Sequence, residues 1–145
     1  MKKVMKVQMD AILESQSLAR SVAAAYVAEL DPTIDELTEV KTAVSEAVGN
    51  AAIHAYPGDL SGKVTLEFCL IADDTIMIKV TDRGVGIENI AKAMEPLFTT
   101  DKGDLCSGMG FTVMESFMDK IRVDSTPGEG TIVTMIKKLD TYYGF

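Results

Sequence analysis

Long apolar runs are missing from this chain, and so is any surplus of positive charge. No window approaches the roughly 18 uninterrupted apolar residues that a membrane span requires. The opening stretch MKKVMKVQMD carries charge every few residues, where a signal peptide would have an apolar core. Both absences predict a cytoplasmic protein. Lysine and arginine total 14 against 22 aspartates and glutamates, a formal net charge of −8. That balance argues against nonspecific nucleic-acid binding and against anionic lipid, which both demand a basic face. Any phosphate ligand must then be held by backbone N–H groups, a metal or a few placed side chains. The two cysteines, Cys69 and Cys106, lie far apart with no metal-ligand spacing and read as free thiols of a reducing compartment. Neither the dinucleotide GxGxxG after a strand nor a Walker Gly-Lys-Ser/Thr occurs, and there are no internal repeats or low-complexity segments.

What is present suits one soluble domain. The 145 residues are 47% hydrophobic and 25% charged, enough to bury a real core and too apolar for a disordered chain. Lys3 to Met9 alternates, with Met5, Val7 and Met9 on one side, and reads as an edge strand. Ala11 to Leu30 carries Leu18, Val22, Ala25 and Tyr26 at helical spacing, with Arg20 opposite, and stops at Asp31-Pro32. Thr33 with Glu36 is a capping box that opens a second helix, Glu36 to Tyr56, whose apolar arc is Leu37, Val40, Val44, Ala47, Val48 and Ala51. Val64 to Ile71 and Ile76 to Asp82 form a hairpin across Ala72 to Thr75. A long, weakly periodic stretch from Glu88 to Ser107 reads as a lid, followed by a short helix, Thr112 to Met118. Two strands, Ile121 to Asp124 and Thr131 to Lys137, close the chain across Thr126-Pro127-Gly128-Glu129-Gly130. The expected fold is α+β, a two-layer α/β sandwich with helices on one face of a mixed, mostly antiparallel sheet, and residues 1–145 as one domain.

Three places in that frame could carry chemistry. Glu46, Asn50 and His54 recur every four residues on the second helix and share one stripe. A carboxylate, a carboxamide and an imidazole one turn apart could serve one ligand as base, metal-ligating oxygen and hydrogen-bonding group; equally, they could be solvated surface. Asp82 continues the core-facing row of Ile76, Ile78 and Val80, where an unpartnered carboxylate is costly. It suits the amino group of adenine, and structural pairing with a backbone N–H is the alternative. Glycines Gly108 and Gly110, at a helix start, would let orphan N–H groups reach a polyphosphate, or would simply make a turn.

Taken together, these residues resemble the boxes of the GHKL (Bergerat-fold) ATP-binding superfamily. Glu46-x-x-x-Asn50-x-x-x-His54 looks like its N-box, Asp82-Arg83-Gly84-Val85-Gly86 its G1 box and Gly108-Met109-Gly110 its G2 box. Leu30-Asp31-Pro32-Thr33, Ser45-Glu46-Ala47-Val48, Pro96-Leu97-Phe98-Thr99-Thr100 and Ser107 to Thr112 further resemble the sporulation anti-sigma F factors, a family of serine protein kinases. The resemblance implies ATP or ADP with Mg²⁺ as ligands. It makes Asn50 the Mg²⁺ ligand, Glu46 the catalytic base and Asp82 the adenine acceptor. Gly84 and Gly86 would shape the adenine pocket, Thr131 would support Asp82, and His54 would line the nucleotide stripe. Thr99, Thr100, Ser107, Gly108, Met109 and Gly110 would belong to the lid and phosphate loop. It also implies a homodimer whose partners are sporulation sigma factor F and an anti-anti-sigma factor offering a serine. Arg20 is the expected partner-binding residue, an Arg being a common interface anchor.

The chain departs from that pattern at Cys106, where such proteins usually carry Arg before the Ser-Gly-Met-Gly run. A guanidinium there would stabilise transferring charge, so its loss bears on transfer more than on nucleotide binding and leaves Lys102 as a lid cation. The competing reading is a nucleotide-dependent module that sequesters sigma factor with weak or no kinase activity. Arg83 stands where an acidic residue is common and, next to an inward Asp82, is expected to face out.

Overall fold

The computed structural model describes residues 1–95 and 109–140. Its elements run β1 (Lys2–Asp10), α1 (Ser15–Ala28), α2 (Ile34–Asn50), a π-helical turn (Ala51–Ala55), β2 (Lys63–Ala72) and β3 (Thr75–Asp82). After these come α3 (Ile90–Ala93), α4 (Gly110–Phe117), β4 (Lys120–Thr126) and β5 (Gly130–Lys138). The five strands form one sheet in the order β1-β2-β3-β5-β4, with β1 on an edge as its alternation requires. Where a mixed, mostly antiparallel sheet was expected, all four pairings are antiparallel. The reason is connectivity: neighbouring strands are joined either by tight turns or by a path that returns the chain in the opposite sense.

Period-two alternation sends Leu66, Phe68, Ile76, Ile78 and Met135 into a fully buried core against Val40, Val44 and Val48 of α2. Helix α2 begins where its sequence says it should. The Thr33 hydroxyl accepts from the Glu36 N–H at 3.1 Å, and a Glu36 carboxylate oxygen accepts from the Thr33 N–H at 2.8 Å. The other Glu36 oxygen accepts from the N–H of Asp140 at 2.7 Å, so the cap also ties down the end of the last strand. Burial by itself would raise this carboxyl, but the N–H donors of Thr33 and Asp140, with the Thr33 hydroxyl and Lys137, hold it below its ordinary value.

Helix α1 differs from expectation in both its start and its buried face. Residues 11–14 form turns, with the Ala11 N–H donating to Gly62, and the helix starts at Ser15. Its buried residues are Ser15, Ala19, Ala23, Tyr26 and Val27, while Leu18 is 55% exposed and Ala25 is also outside. Small side chains on the inner face let α1 lie close along α2, which a ranking by hydropathy alone misses. A second surprise is Lys137 in the inward row of β5. Its buried ammonium pairs with Glu39 at 2.9 Å and donates to the Phe117 carbonyl at 2.6 Å, satisfying the last turn of α4.

The capping box yields a direct test. Thr33→Ala should lower stability by about 1 kcal/mol, read as a lower urea midpoint at unchanged slope. An unchanged midpoint would mean the Glu36–Asp140 tether alone holds the start of α2.

Candidate functional site

Glu46 and Asn50 sit on the last two turns of α2, and His54 lies in the π turn that continues it; all three are half-buried. They lie partly covered and partly open to solvent on a helix flanked by the sheet, by α1 and by α4. The α1 side of this packing is polar. Arg20 donates to the Ser45 hydroxyl at 2.8 Å and Gln16 donates to the Ser45 carbonyl at 2.9 Å. The Gln16 amide occupies the space that a side chain on Gly49 would need. Arg20, expected opposite the apolar face, is therefore half-buried and fastened to the residue before Glu46. Desolvation raises the Glu46 carboxyl above its ordinary value, which makes its carboxylate a stronger base.

At the far end of α2 the π turn meets the end of β3. Val85 donates its N–H to the Ala55 carbonyl at 2.8 Å, and a Cβ on Gly84 would collide with that same carbonyl. π turns of this kind recur at functional sites because they re-aim the helix end. Asp82 closes the inward row of β3, opposite Val64 on one side and Thr131 on the other. One of its oxygens accepts from the Gly84 N–H at 3.0 Å. Burial raises the Asp82 carboxyl, while the N–H groups of Gly84 and Thr131 pull it back down. Both partners foreseen for this carboxylate are therefore compatible: the Gly84 N–H holds one oxygen, and a carboxylate accepts about four hydrogen bonds. Arg83 faces out, as expected.

Two further glycines bring backbones together around Asp82. Gly130, at φ +109°, lies against the Asp82 carbonyl, and Gly86, at φ +76°, against the Thr126 carbonyl; neither place admits a Cβ. The buried Thr131 hydroxyl shares a 2.8 Å hydrogen bond with Ser125. Ser125 also accepts from the Ile87 N–H at 2.8 Å and donates to the Gly130 carbonyl at 3.0 Å. No motif marks Ser125 beforehand; its only signal is its place on the inward row of β4 after Ile121 and Val123.

Met109 and Gly110 open α4, with Gly110 facing the Asn50 side chain. A Cβ on Gly110 would lie 3.0 Å from Asn50 Oδ1 and 3.1 Å from Nδ2. The carboxamide of one helix thus abuts the N-terminus of another, where orphan N–H groups and the helix dipole favour an anion. Among the described residues no three His, Cys, Asp or Glu side chains converge. A cation here would draw on the Asn50 oxygen and on oxygens arriving with the ligand, which is how Mg²⁺ accompanies polyphosphates. Thr99, Thr100, Ser107 and Gly108, with Lys102 and Cys106, lie outside the described residues. Asn50 and Gly110 thus meet at one end, Asp82, Gly84, Gly86 and Thr131 at the other, with His54 between.

The model of the histidine kinase-like ATPase domain family matches residues 9–137. The anti-sigma F factor of Caldanaerobacter subterraneus subsp. tengcongensis is 53% identical over 124 residues, which are 86% of this chain and 85% of that protein. The anti-sigma F factor of Anoxybacillus flavithermus is 50% identical over 139 residues, 96% of this chain and 94% of that protein. Among solved structures, the RsbU and RsbW domains of Rv1364c from Mycobacterium tuberculosis superpose with a TM-score of 0.70 at 21% identity, covering 95% of this chain and 33% of that one. The mycobacterial sensor histidine kinase MprB superposes with a TM-score of 0.60 at 18% identity, covering 93% and 98%. At such identities the structural likeness speaks for the fold alone.

The raised Glu46 carboxyl makes stability depend on pH with a definite sign. Between the ordinary Glu value, about 4.3, and the raised folded value, the folded chain binds more protons than the unfolded one, so stability falls as pH rises through that window. Glu46→Gln should therefore raise the melting temperature of the ligand-free protein at neutral pH, with the gain vanishing below about pH 4. Equal melting temperatures at both pH values would show that the carboxylate carries no burial penalty.

Proposed function

The chain belongs to the histidine kinase-like ATPase domain family and, within it, to the anti-sigma F factors, and from that premise we propose that it binds and inhibits sporulation sigma factor F and phosphorylates a serine of an anti-anti-sigma factor with ATP. It does so in the cytoplasm as a homodimer. The observation that carries the reading is the meeting of Asn50 with Gly110 at the start of α4, one turn from a half-buried Glu46. Adenine enters at the other end, where its amino group donates to the free acceptor positions of Asp82 in a pocket bounded by Gly84, Gly86 and Thr131. His54 lines the passage between the two. A Mg²⁺ ion bound with the nucleotide would be held by the Asn50 carboxamide oxygen, and when bound it neutralises charge on the phosphate oxygens.

Glu46 then acts on the acceptor. As the serine oxygen forms its bond to the γ-phosphorus, the bond from that phosphorus to the bridging oxygen breaks, ADP leaves, and the serine proton passes to the Glu46 carboxylate. A carboxylate desolvated by its surroundings holds that proton better than one in water. By resemblance to the anti-sigma F factors, Thr99, Thr100, Ser107, Gly108 and Met109 are assigned to nucleotide binding, and Arg20 to the partner surface.

Cys106 favours a second reading, in which nucleotide only orders the lid and sigma factor is sequestered with little transfer. Incubation with γ-labelled ATP and the anti-anti-sigma protein separates the two. Wild type should transfer label; Glu46→Ala should slow transfer about a hundredfold or more while nucleotide binding survives. Absence of wild-type transfer at every Mg²⁺ concentration would leave the sequestering reading. Asn50→Ala should abolish the Mg²⁺ dependence of ATP binding, and an unchanged dependence would remove Asn50 from the site.

A further inference from the structure

Tyr56 ends the π turn and belongs to none of the motif boxes, yet its hydroxyl holds the backbone beside Asp82. The β2–β3 ladder ends at the pair Val64 and Asp82. One residue further on, the Tyr56 hydroxyl stands between the strands: it accepts from the Arg83 N–H at 2.8 Å and donates to the Lys63 carbonyl at 2.7 Å. Its ring lies against Gly62, where any Cβ would overlap it. With the Val85 N–H bound to the Ala55 carbonyl and Gly84 pressed onto Ala55, residues 55 and 56 hold all three residues that follow Asp82.

We propose that Tyr56 is a positioning residue for base selectivity: its hydroxyl sets the backbone at Arg83 and so fixes the aim of the Asp82 carboxylate at an exocyclic amino group. The inference rests on Asp82 being the adenine acceptor. A hydrogen bond to an amino donor depends steeply on direction, and a recognition group must be held to about half an ångström to discriminate. The hydroxyl's partners lie near solvent, so water replaces the lost bonds when it is removed. Removing it should therefore disturb aim far more than stability.

Calorimetric titration with ATP and with ITP, whose base has a carbonyl in place of the amino group, reads this directly. Tyr56→Phe should lower the ATP-to-ITP affinity ratio by roughly three- to tenfold, as expected for one misdirected hydrogen bond, at a nearly unchanged melting temperature. Amide exchange at Arg83 should quicken in the same variant. An unchanged ratio, or an equal weakening of both nucleotides, overturns the inference. Gly62→Ala, which pushes a methyl into the ring and displaces the hydroxyl without deleting it, should lower the ratio likewise and serves if the first variant does not fold. Asp82→Asn separates the two levels. If it leaves the ratio intact, the adenine reading of Asp82 fails and this inference with it; if it collapses the ratio while the Tyr56 and Gly62 variants do not, only the role of Tyr56 fails.

Discussion

The site depends on one close approach of backbone to backbone. The end of β3 presses against the end of α2 so tightly that Gly84 meets the Ala55 carbonyl with no room for a side chain, and Gly130 of the neighbouring strand meets Asp82 from the opposite side. Helix and strand would otherwise stand about 10 Å apart, the usual spacing of packed layers, and nothing on α2 could share a ligand with Asp82. The π turn is part of the same arrangement, since it brings the Ala55 carbonyl to the Val85 N–H. Glycine at these places serves proximity: two of the approaches occur at positive φ, but Gly84 is required by crowding alone.

A buried polar framework supports that geometry. Helix α2 is flanked by the sheet, α1 and α4, and three of its polar residues are matched by neighbours: Ser45 by Gln16 and Arg20, Glu39 by Lys137, Glu36 by Thr33 and Asp140. Among the described residues no buried side-chain nitrogen or oxygen is left without a partner. Such networks rigidify what they satisfy, because each alternative packing would strand a donor or acceptor in low dielectric. Lys137 extends this to α4, whose last turn it caps while the first turn faces Asn50. An eight-residue helix is a rod of about 12 Å, so fixing one end orients the other.

Much of this was legible in the residues, and the remainder has physical reasons for being hidden. Strand alternation, the Thr33–Glu36 box and the Asp82 row follow from local periodicity and short-range hydrogen bonding, and each stands where the pattern puts it. The π turn at 51–55 leaves no such trace, since its residues are ordinary helix formers and the cause lies across space at Val85. The face of α1 misleads for a related reason: closeness to α2 selects Ala19 and Ala23 over Leu18. Asn89 caps a one-turn helix, Ile90–Ala93, too short to show a period. Ser125, Tyr56 and Lys137 act through partners remote in sequence, so their residue types alone say nothing of their work.

The two oxygens of Glu36 have a temporal meaning. One completes a local cap three residues away; the other waits for the N–H of Asp140, 104 residues further along the chain. Helix α2 can therefore form early in synthesis from its own neighbours, while the Asp82–Thr131 pair exists only after β5 has been made. A growing chain thus carries a locally capped α2 long before the last strand arrives to claim the second Glu36 oxygen.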